Sequence, residues 1–294
     1  MTGVSELNLL EASLGSQNAP PTRRATPVPP GPSEPRLSRL DASAPSTSID
    51  EVIAELALEA RARDPDSPRP HVALNMVTSL DGHAAVQARS GGLSSPADRA
   101  LFHGLRSITD AVLVGAGTAR GERYGRLIRD PHVRTRREQA GRSAEPLACV
   151  VSGRRLTLPP QLPLLNEPDA RVVMLTPSAA SLPPTAASVQ YVRTTIADGR
   201  LDLDAALREL RAGWDVREIL CEGGPALNAQ LLSDRLVDEL FLTVSPVLAG
   251  GEDPLTIVAP RGGLDPTTLT FTAAFTSGSF LFLRYRVNHD DPLT

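Results

Sequence analysis

The chain has few cysteines, and its histidines do not follow a metal-binding order. Two cysteines, Cys149 and Cys221, lie far apart in its 294 residues and outside any Cys-x-x-Cys spacing. The five histidines form neither a His-x-x-His nor a His-Glu-x-x-His pattern. We therefore expect neither a disulfide framework nor a zinc site, and we predict two buried thiols.

The chain also lacks an excess of basic residues and any long apolar run. Its 30 basic and 34 acidic residues give a net charge of −4, which does not favour nucleic acid or a membrane surface as a partner. No run of 18 apolar residues occurs, and the N-terminus has no basic segment followed by an apolar one. These absences predict a cytoplasmic protein that binds a small molecule.

Composition divides the chain into three parts. Residues 1–47 are rich in Pro, Ser, Arg and Ala, and we expect them to form a disordered tail. Residues 48–69 predict a helix and a linker, because Ser48 and Glu51 form a capping box before apolar positions on one helical face. Residues 70–294 contain short apolar runs separated by Gly, Pro and Asp, and they predict one folded domain.

Within that domain, strand-like and helix-like segments alternate. This alternation predicts an α/β fold with a mixed, mainly parallel sheet flanked by helices. Residues 239–250, ELFLTVSPVLAG, predict one long strand. Two alternating apolar stretches flank Ser277 and Gly278, and they predict an antiparallel hairpin at the C-terminus.

Two glycine turns follow predicted strands. Gly115, Gly117 and Thr118 follow the run VLV, with a Gly-x-Gly-x-x-x-Gly spacing that differs from the dinucleotide fingerprint. A bare backbone there would let a ligand approach, and Thr118 could donate a hydrogen bond at the start of a helix. The alternative interpretation is an ordinary strand-to-helix turn.

The second turn lies in the stretch CEGGPALNAQLL, residues 221–232. Gly223 and Gly224 leave the helix start bare, and Pro225 occupies the first helical position, where an N–H would be unpaired anyway. Unpaired N–H groups at a helix N-terminus suit a phosphate. Glu222, at the end of the preceding strand, could accept hydrogen bonds from a ligand. The alternative is a simple helix cap with Glu222 in solvent.

Two further segments bring polar groups toward the expected ligand crevice. Thr78 begins the stretch TSLDG at a strand end, which faces the crevice in an α/β sheet, although Asp-Gly is first of all a turn signal. Arg99, His103 and Arg106 share one face of a predicted helix. They could hold a phosphate, or they could form a solvated basic face.

Taken in order, these motifs resemble the C-terminal reductase domain of the bacterial riboflavin-biosynthesis deaminase–reductase, which has a dihydrofolate-reductase-like fold. The resemblance spans about residues 70–287. The matching stretches are TSLDG (78–82), LSSPADRALFHGLR (93–106), VLVGAGT (112–118), CEGGPALNAQLL (221–232) and LVDELFLTVSPVLAGG (236–251).

The resemblance implies a reductase that uses NADPH to convert 5-amino-6-(5-phosphoribosylamino)uracil to its ribitylamino form. Hydride would pass from the nicotinamide to the sugar C1′, and the protein would hold the two partners in register. The chain contains no His-x-Glu followed by Pro-Cys-x-x-Cys, so we expect a stand-alone reductase without the deaminase activity. The resemblance also implies a homodimer.

The motifs and the resemblance together predict three groups of site residues. Arg106 would take the substrate phosphate, and Glu222 would accept from the N–H groups of the pyrimidine. The substrate-binding residues would be Ser90, Arg106, Arg126, Arg129 and Glu222, and the catalytic residues Glu122 and Asn75. The cofactor-binding residues would be Thr78, Gly92, Gly115, Gly117, Thr118, Ser152, Gly223, Gly224, Pro225, Ala226, Leu227 and Asn228.

Two departures from the family pattern affect the substrate side. In the stretch GERYGRLIRD, Glu122 stands where the family has an acid, and Tyr124 displaces a proline. Asn75 stands where relatives often have a lysine. Two alternatives therefore remain open: a dihydrofolate-reductase-like enzyme that acts on a pterin, and a nucleotide-binding regulator without catalysis.

Overall fold

The computed structural model describes residues 46–85, 90–156, 158–197, 199–251, 255–259 and 265–289. The expected disordered tail, residues 1–47, lies outside these ranges except for its last two residues. Across the described ranges, no helix combines the length and the apolar character that crossing a membrane requires. The same ranges contain no group of three His, Cys, Asp or Glu residues arranged to hold a metal ion.

Helices and strands alternate along most of the chain, as the sequence predicted. The helices are α1 (Ile49–Arg61), α2 (Pro96–Ile108), α3 (Ala116–Gly121), α4 (Pro131–Gln139), α5 (Leu203–Trp214) and α6 (Pro225–Ser233), with short 3₁₀ turns at Ser90–Leu93 and Pro163–Asn166. The strands are β1 (His71–Ser79), β2 (Ala111–Gly115), β3 (Leu147–Val151), β4 (Arg171–Thr176), β5 (Ser188–Arg193), β6 (Ile196–Ala197), β7 (Arg200–Leu201), β8 (Glu218–Cys221), β9 (Glu239–Ser245), β10 (Leu269–Ser277) and β11 (Phe280–Val287).

A nine-stranded sheet in the order β10-β11-β9-β1-β8-β2-β3-β4-β5 forms the centre of the fold. In this spatial order, the strands β9, β1, β8, β2, β3, β4 and β5 run parallel to one another. Strand β11 pairs antiparallel with β9, and β10 pairs antiparallel with β11. Gly278 lies between the last two strands with a φ of 58°, a conformation that favours glycine. The predicted mixed sheet with a C-terminal hairpin is confirmed.

The predicted strand 239–250 is shorter in the structure, because β9 ends at Ser245. Proline follows, and it has no N–H to donate to a sheet ladder. Beyond it the chain turns toward the end of β1, where Val247 O accepts from Leu80 N at 2.8 Å. The Asp81 carboxylate accepts from the backbone N–H groups of Ala249 and Gly250 at 3.0 and 2.8 Å.

The core lies on both faces of the sheet, because successive strand residues point to opposite sides. Leu113 of β2 belongs to the cluster under α5 and α6, whereas Val112 belongs to the cluster on the other face. Cys149 and Cys221 are fully buried, so the prediction of buried thiols is confirmed. Burial raises the pKa of both thiols, that of Cys221 to about 12.

Helix α1 has the predicted capping box. The Ser48 hydroxyl accepts from Glu51 N, and the Glu51 carboxylate accepts from Ser48 N at 2.7 Å. Its apolar face packs on α2 and the sheet through Ile53 and Leu56, which are buried. Gly104 of α2 permits this close packing, because a β-carbon there would lie 2.6 Å from Ile53 Cγ1.

Candidate active site

A cleft of about 610 Å³ opens at the carboxyl ends of β1 and β8. Ligands of open α/β sheets bind in this position. A second cavity, of about 800 Å³, lies at the amino ends of the strands. Arginines there are paired with carboxylates, as in Arg69–Asp238 and Arg142–Asp110. The cleft at the carboxyl ends is therefore the candidate active site.

The structure brings the two predicted glycine turns together in this cleft. Gly115 N, at the end of β2, donates to Gly223 O at 2.7 Å. A β-carbon on Gly224 would collide with the hydroxyl of Thr118, and Gly223 has a φ of 86°. The peptide bond between Gly223 and Gly224 is cis. Side chains are thus excluded from the point where the two turns meet.

The N-terminus of α6 is open toward the cleft. Among the described residues, no side chain caps the first turn at Gly224, and Pro225 follows as the first helical residue. The free amides and the helix dipole suit an anionic group such as a phosphate. Gly224 and Pro225 both line the cleft, as do Gly117 and Thr118 of α3.

Not all of α6 faces the cleft. Leu227 is part of the core, and Asn228 is fully buried. The Asn228 amide donates to Ile257 O at 2.8 Å, and Ala259 N donates to Pro225 O at 3.1 Å. Asn228 therefore fixes the segment 255–259 beside the cleft. The expected cofactor contacts of Leu227 and Asn228 find no support in their side-chain positions, whereas Ala226 is exposed.

An ion pair forms the floor of the cleft. Arg106 donates from Nε to Glu222 Oε1 and from Nη2 to Oε2, each at 2.7 Å. Tyr124 donates its hydroxyl proton to Glu222 Oε2, and Arg106 Nη1 donates to Leu127 O at 3.1 Å. The Arg106 guanidinium also lies over the ring of Phe102, 4.2 Å from its centroid.

This pairing changes the roles expected for Arg106 and Glu222. Their side chains are only 9% and 3% exposed, and their remaining hydrogen bonds go to Leu127 O and Tyr124. The expectation that Arg106 holds the substrate phosphate while Glu222 directly accepts from the pyrimidine does not agree with this geometry. A buried bidentate pair instead holds both side chains in place at the floor of the cleft.

Other cations line the cleft closer to solvent. Arg99 and Arg129 are exposed, and Arg129 makes no hydrogen bond or ion pair with the residues that the structure describes. The pKa of His103 is lowered, first by burial and then by the charges of Arg106 and Arg129. Among the charged residues near solvent, Arg99, Arg123 and Arg129 outnumber Asp98 and Glu122, which leaves a positive balance.

Arg126, by contrast, is engaged elsewhere. It lies within 2.9 Å of both Glu145 and Glu167 and 3.3 Å from Asp169. Its guanidinium thus ties together loops beside the cleft, and the predicted substrate contact does not agree with this pairing. Asn75 of β1 and Glu122 at the end of α3, the two expected catalytic residues, both line the cleft.

The remaining expected residues occupy varied positions. Thr78 is buried and donates to Ser79 O at 3.0 Å, and Ser152 is buried and donates to Arg155 O at 3.0 Å. Both hydroxyls are therefore used within the protein. Gly92 is exposed in the 3₁₀ turn, and the side chain of Ser90 lies outside the described part of the chain.

Sequence reasoning did not assign a role to several residues that line the cleft, among them Phe102, Tyr124 and Leu255. Phe102 lies one turn before Arg106 on α2, so its spacing could have indicated a cation–π contact. Tyr124 was noticed only as a departure from the family pattern, and its bond to Glu222 requires the three-dimensional fold. Leu255 reaches the cleft because its carbonyl accepts from Ala84 N at 2.6 Å, and no sequence signal predicts that contact.

The sheet order, the joined glycine turns and the open start of α6 agree with a dihydrofolate-reductase-like fold that binds its ligand at the carboxyl ends of the strands. Comparison with protein families narrows this assignment. Residues 70–281 match the family model described as the RibD C-terminal domain. The chain belongs to this family, whose reductases use a nicotinamide nucleotide.

Individual relatives agree with the family. A protein of Methanothermobacter thermautotrophicus named 2,5-diamino-6-ribosylamino-4(3H)-pyrimidinone 5′-phosphate reductase is 31% identical over 224 residues, which cover 74% of this chain and 99% of the relative. The riboflavin biosynthesis protein RibD of Mycobacterium tuberculosis is 31% identical over 194 residues, 66% of this chain and 46% of that protein. This match places the similarity in one part of a longer relative.

Among solved structures, a pyrimidine reductase-like protein of Corynebacterium diphtheriae has the same fold. It superposes with a TM-score of 0.62 at 24% identity and covers 83% of this chain and 100% of its own. The expected fold class and the expected family are both confirmed.

Proposed function

We propose that the chain reduces a 6-ribosylaminopyrimidine 5′-phosphate to its ribitylamino form with NADPH. The observation that carries this proposal is the junction of the two glycine turns at the bare N-terminus of α6, within a chain of the RibD C-terminal domain family. A nucleotide held at that junction would lie beside a cleft whose wall carries the exposed Arg99 and Arg129.

The residues of the junction fit a dinucleotide. The backbone amides at the start of α6 would hold a phosphate, and Thr118 and Gly117 would border it on the α3 side. A side chain at Gly224 would collide with the Thr118 hydroxyl and disturb this junction. When bound, the reduced nicotinamide supplies a hydride. The protein contributes position, because it holds both reactants in one cleft.

The cations near solvent would bind the substrate phosphate. Arg99 and Arg129 are exposed on the cleft wall, and guanidinium groups bind phosphates through charge-assisted hydrogen bonds. Arg106 would act indirectly, since its pairing with Glu222 keeps the floor of the cleft in shape. This division of roles replaces the direct phosphate contact expected for Arg106.

Asn75 and Glu122 would serve the reacting end of the substrate. Asn75 cannot exchange a proton at neutral pH, so its amide would orient the substrate by hydrogen bonds. Glu122 is the ionisable member of the two and would act as the acid or base for the sugar oxygen. Both residues line the cleft that contains the glycine junction.

The pyrimidine itself has two candidate forms. The uracil form follows from the resemblance to the bacterial deaminase–reductase. The 2,5-diamino form is favoured by the relative from Methanothermobacter thermautotrophicus, which is named for that compound and matched over 99% of its length.

A panel of substrates at fixed NADPH tests the proposal. We expect steady NADPH oxidation with at least one of the two ribosylaminopyrimidine phosphates, and mass spectrometry should find the ribitylamino product. Faster oxidation with dihydrofolate would favour a pterin reductase. Binding of NADPH without turnover of any of the three would favour a nucleotide-binding regulator.

A further inference from the structure

The floor of the cleft contains a hydrogen-bond chain with a fixed direction. Arg106 gives two N–H groups to the oxygens of Glu222, so the carboxylate acts as an acceptor. The Tyr124 hydroxyl has one proton, and it donates that proton to Glu222 Oε2. The oxygen of Tyr124 therefore has only lone pairs left for a ligand.

Tyr124 is the most exposed member of this hydrogen-bond chain. The Glu222 side chain is 3% exposed, whereas Tyr124 is half-buried and lines the cleft. Burial, and next the charge of Glu222, raise the pKa of Tyr124 well above its ordinary value. The phenol thus keeps its proton at neutral pH, and the direction of its hydrogen bond does not change.

The layout of the cleft indicates which part of the pyrimidine would meet Tyr124. Under the proposed function, the phosphate lies at Arg99 and Arg129 near solvent, and the sugar faces the turn at Gly224. The ring edge farthest from the sugar then reaches the floor. This edge runs from C2 through N3 to C4, and the two forms differ along it only at C2, which carries an amino group in the diamino form and a carbonyl oxygen in the uracil form.

We propose that Tyr124 is a specificity-determining residue, whose hydroxyl oxygen accepts a hydrogen bond from an amino group at C2 of the pyrimidine. A carbonyl at C2 would direct its lone pairs toward those of Tyr124, and the site would lose a hydrogen bond on both sides. Sites built around a buried polar group reject ligands that leave the group unpaired. This inference rests on the proposed function and specifies its substrate.

The test measures binding of the two ribosylaminopyrimidine phosphates in the presence of NADP⁺, so that no turnover is needed. We expect wild type to bind the 2,5-diamino form about tenfold more tightly than the uracil form. The Tyr124→Phe variant should lose this preference, with a weaker affinity for the diamino form and little change for the uracil form. NADP⁺ affinity should stay unchanged.

A matched tyrosine provides the control. Tyr191 on β5 accepts from Leu182 N at 2.7 Å, in a different part of the sheet from the cleft. Tyr191→Phe should keep the wild-type preference. Equal loss of affinity for both pyrimidines in Tyr124→Phe would mean a merely structural role and would overturn the proposal.

The remaining outcomes are also decisive. Equal binding of the two forms by wild type, or tighter binding of the uracil form, overturns the assignment even if Tyr124→Phe does not fold. Preferential binding of the diamino form without any NADPH-dependent turnover rejects the proposed reaction but retains the role of Tyr124. Absence of binding by either form rejects both.

Discussion

Strand β8 has a glutamate at each end, and an arginine lies against each glutamate, but the two pairs have different surroundings. Glu218 begins the strand and pairs with Arg63, whereas Glu222 follows its last residue and pairs with Arg106. Around Glu218, neighbouring charges are matched, as Asp238 is by Arg69. Around Glu222, arginines lie exposed on the wall of a cleft.

The difference separates charges that hold the fold from charges that remain for a ligand. At the amino end of β8, the arginines join α1, the linker and the last strands to the sheet, as Arg284 joins Glu59 and Glu239. At the carboxyl end the Arg106–Glu222 pair is buried and Arg126 is bound by neighbouring carboxylates, whereas Arg99 and Arg129 lie exposed on the cleft wall. Cavity size alone would not have distinguished the two ends.

The largest effect should come from breaking the buried pair at the cleft. Arg106→Ala leaves Glu222 charged and buried, so we expect unfolding free energy to fall by about 3 to 5 kcal/mol. Chemical denaturation monitored by circular dichroism measures this loss. Arg208→Ala, which removes an exposed pair with Asp204 on α5, is the control and should cost about 0.5 kcal/mol or less. Similar values for both variants would contradict the comparison.

A side chain added at the glycine junction should weaken the binding of NADPH. Gly224→Val brings a branched side chain against Thr118 and into the start of α6, and we expect NADPH affinity to fall by about 100-fold. Titration calorimetry measures the change, and the melting temperature checks the fold. Gly213→Ala in α5 should bind NADPH normally. A folded Gly224→Val protein with wild-type affinity would refute the assigned cofactor position.

The stability of the fold should depend on pH through Glu218 at the amino end of β8. Burial raises the pKa of Glu218 to about 7, opposed by Arg63. The folded protein then binds more protons than the unfolded chain between their two pKa values, so this group makes stability fall as pH rises from about 4.5 to 7.

The variant Glu218→Gln cannot ionise at this position. The unfolding free energy of the variant minus that of wild type should therefore rise by about 1 to 3 kcal/mol when the pH is raised from about 5 to about 8. Denaturation curves at both pH values provide the measurement. A constant difference between the two proteins would contradict the raised pKa.

The smallest effect is expected at the exposed cations. Arg129→Ala should raise KM for the phosphorylated pyrimidine about fivefold while kcat stays within about a factor of two, because the phosphate contact exists before and during the reaction. Arg217→Ala, an exposed arginine at the amino end, should change neither constant. Steady-state kinetics would contradict the comparison if both variants raised KM equally.

The sequence predicted the parts of the fold that local patterns determine. The C-terminal hairpin turns at Gly278, and the Ser48 capping box begins α1 as expected. The break at Ser245 was missed because a run of apolar residues on both sides of a proline resembles one strand. Helix α4 was missed as well, since PHVRTRREQ has almost no apolar residues to form a periodic pattern.

The parts of the candidate site that depend on backbone conformation could be predicted from the sequence. Both glycine turns were found because glycine and proline have positional meaning in a sequence. Side-chain roles were less predictable: Arg106 and Glu222 are 116 residues apart, and no local pattern predicts that they neutralise each other. Asn228 follows the helix start closely, but its burial depends on Ile257, in a distant loop.

Helix α1 lies before residue 70, where the family match begins, and yet it contributes Ile53 and Leu56 to the packed interior. A protein trimmed to that boundary would leave Leu105 and Phe241 uncovered, and Arg284 without Glu59. The folded domain therefore begins earlier in this chain than the family match does. Anyone preparing the enzyme should start it ahead of Ser48.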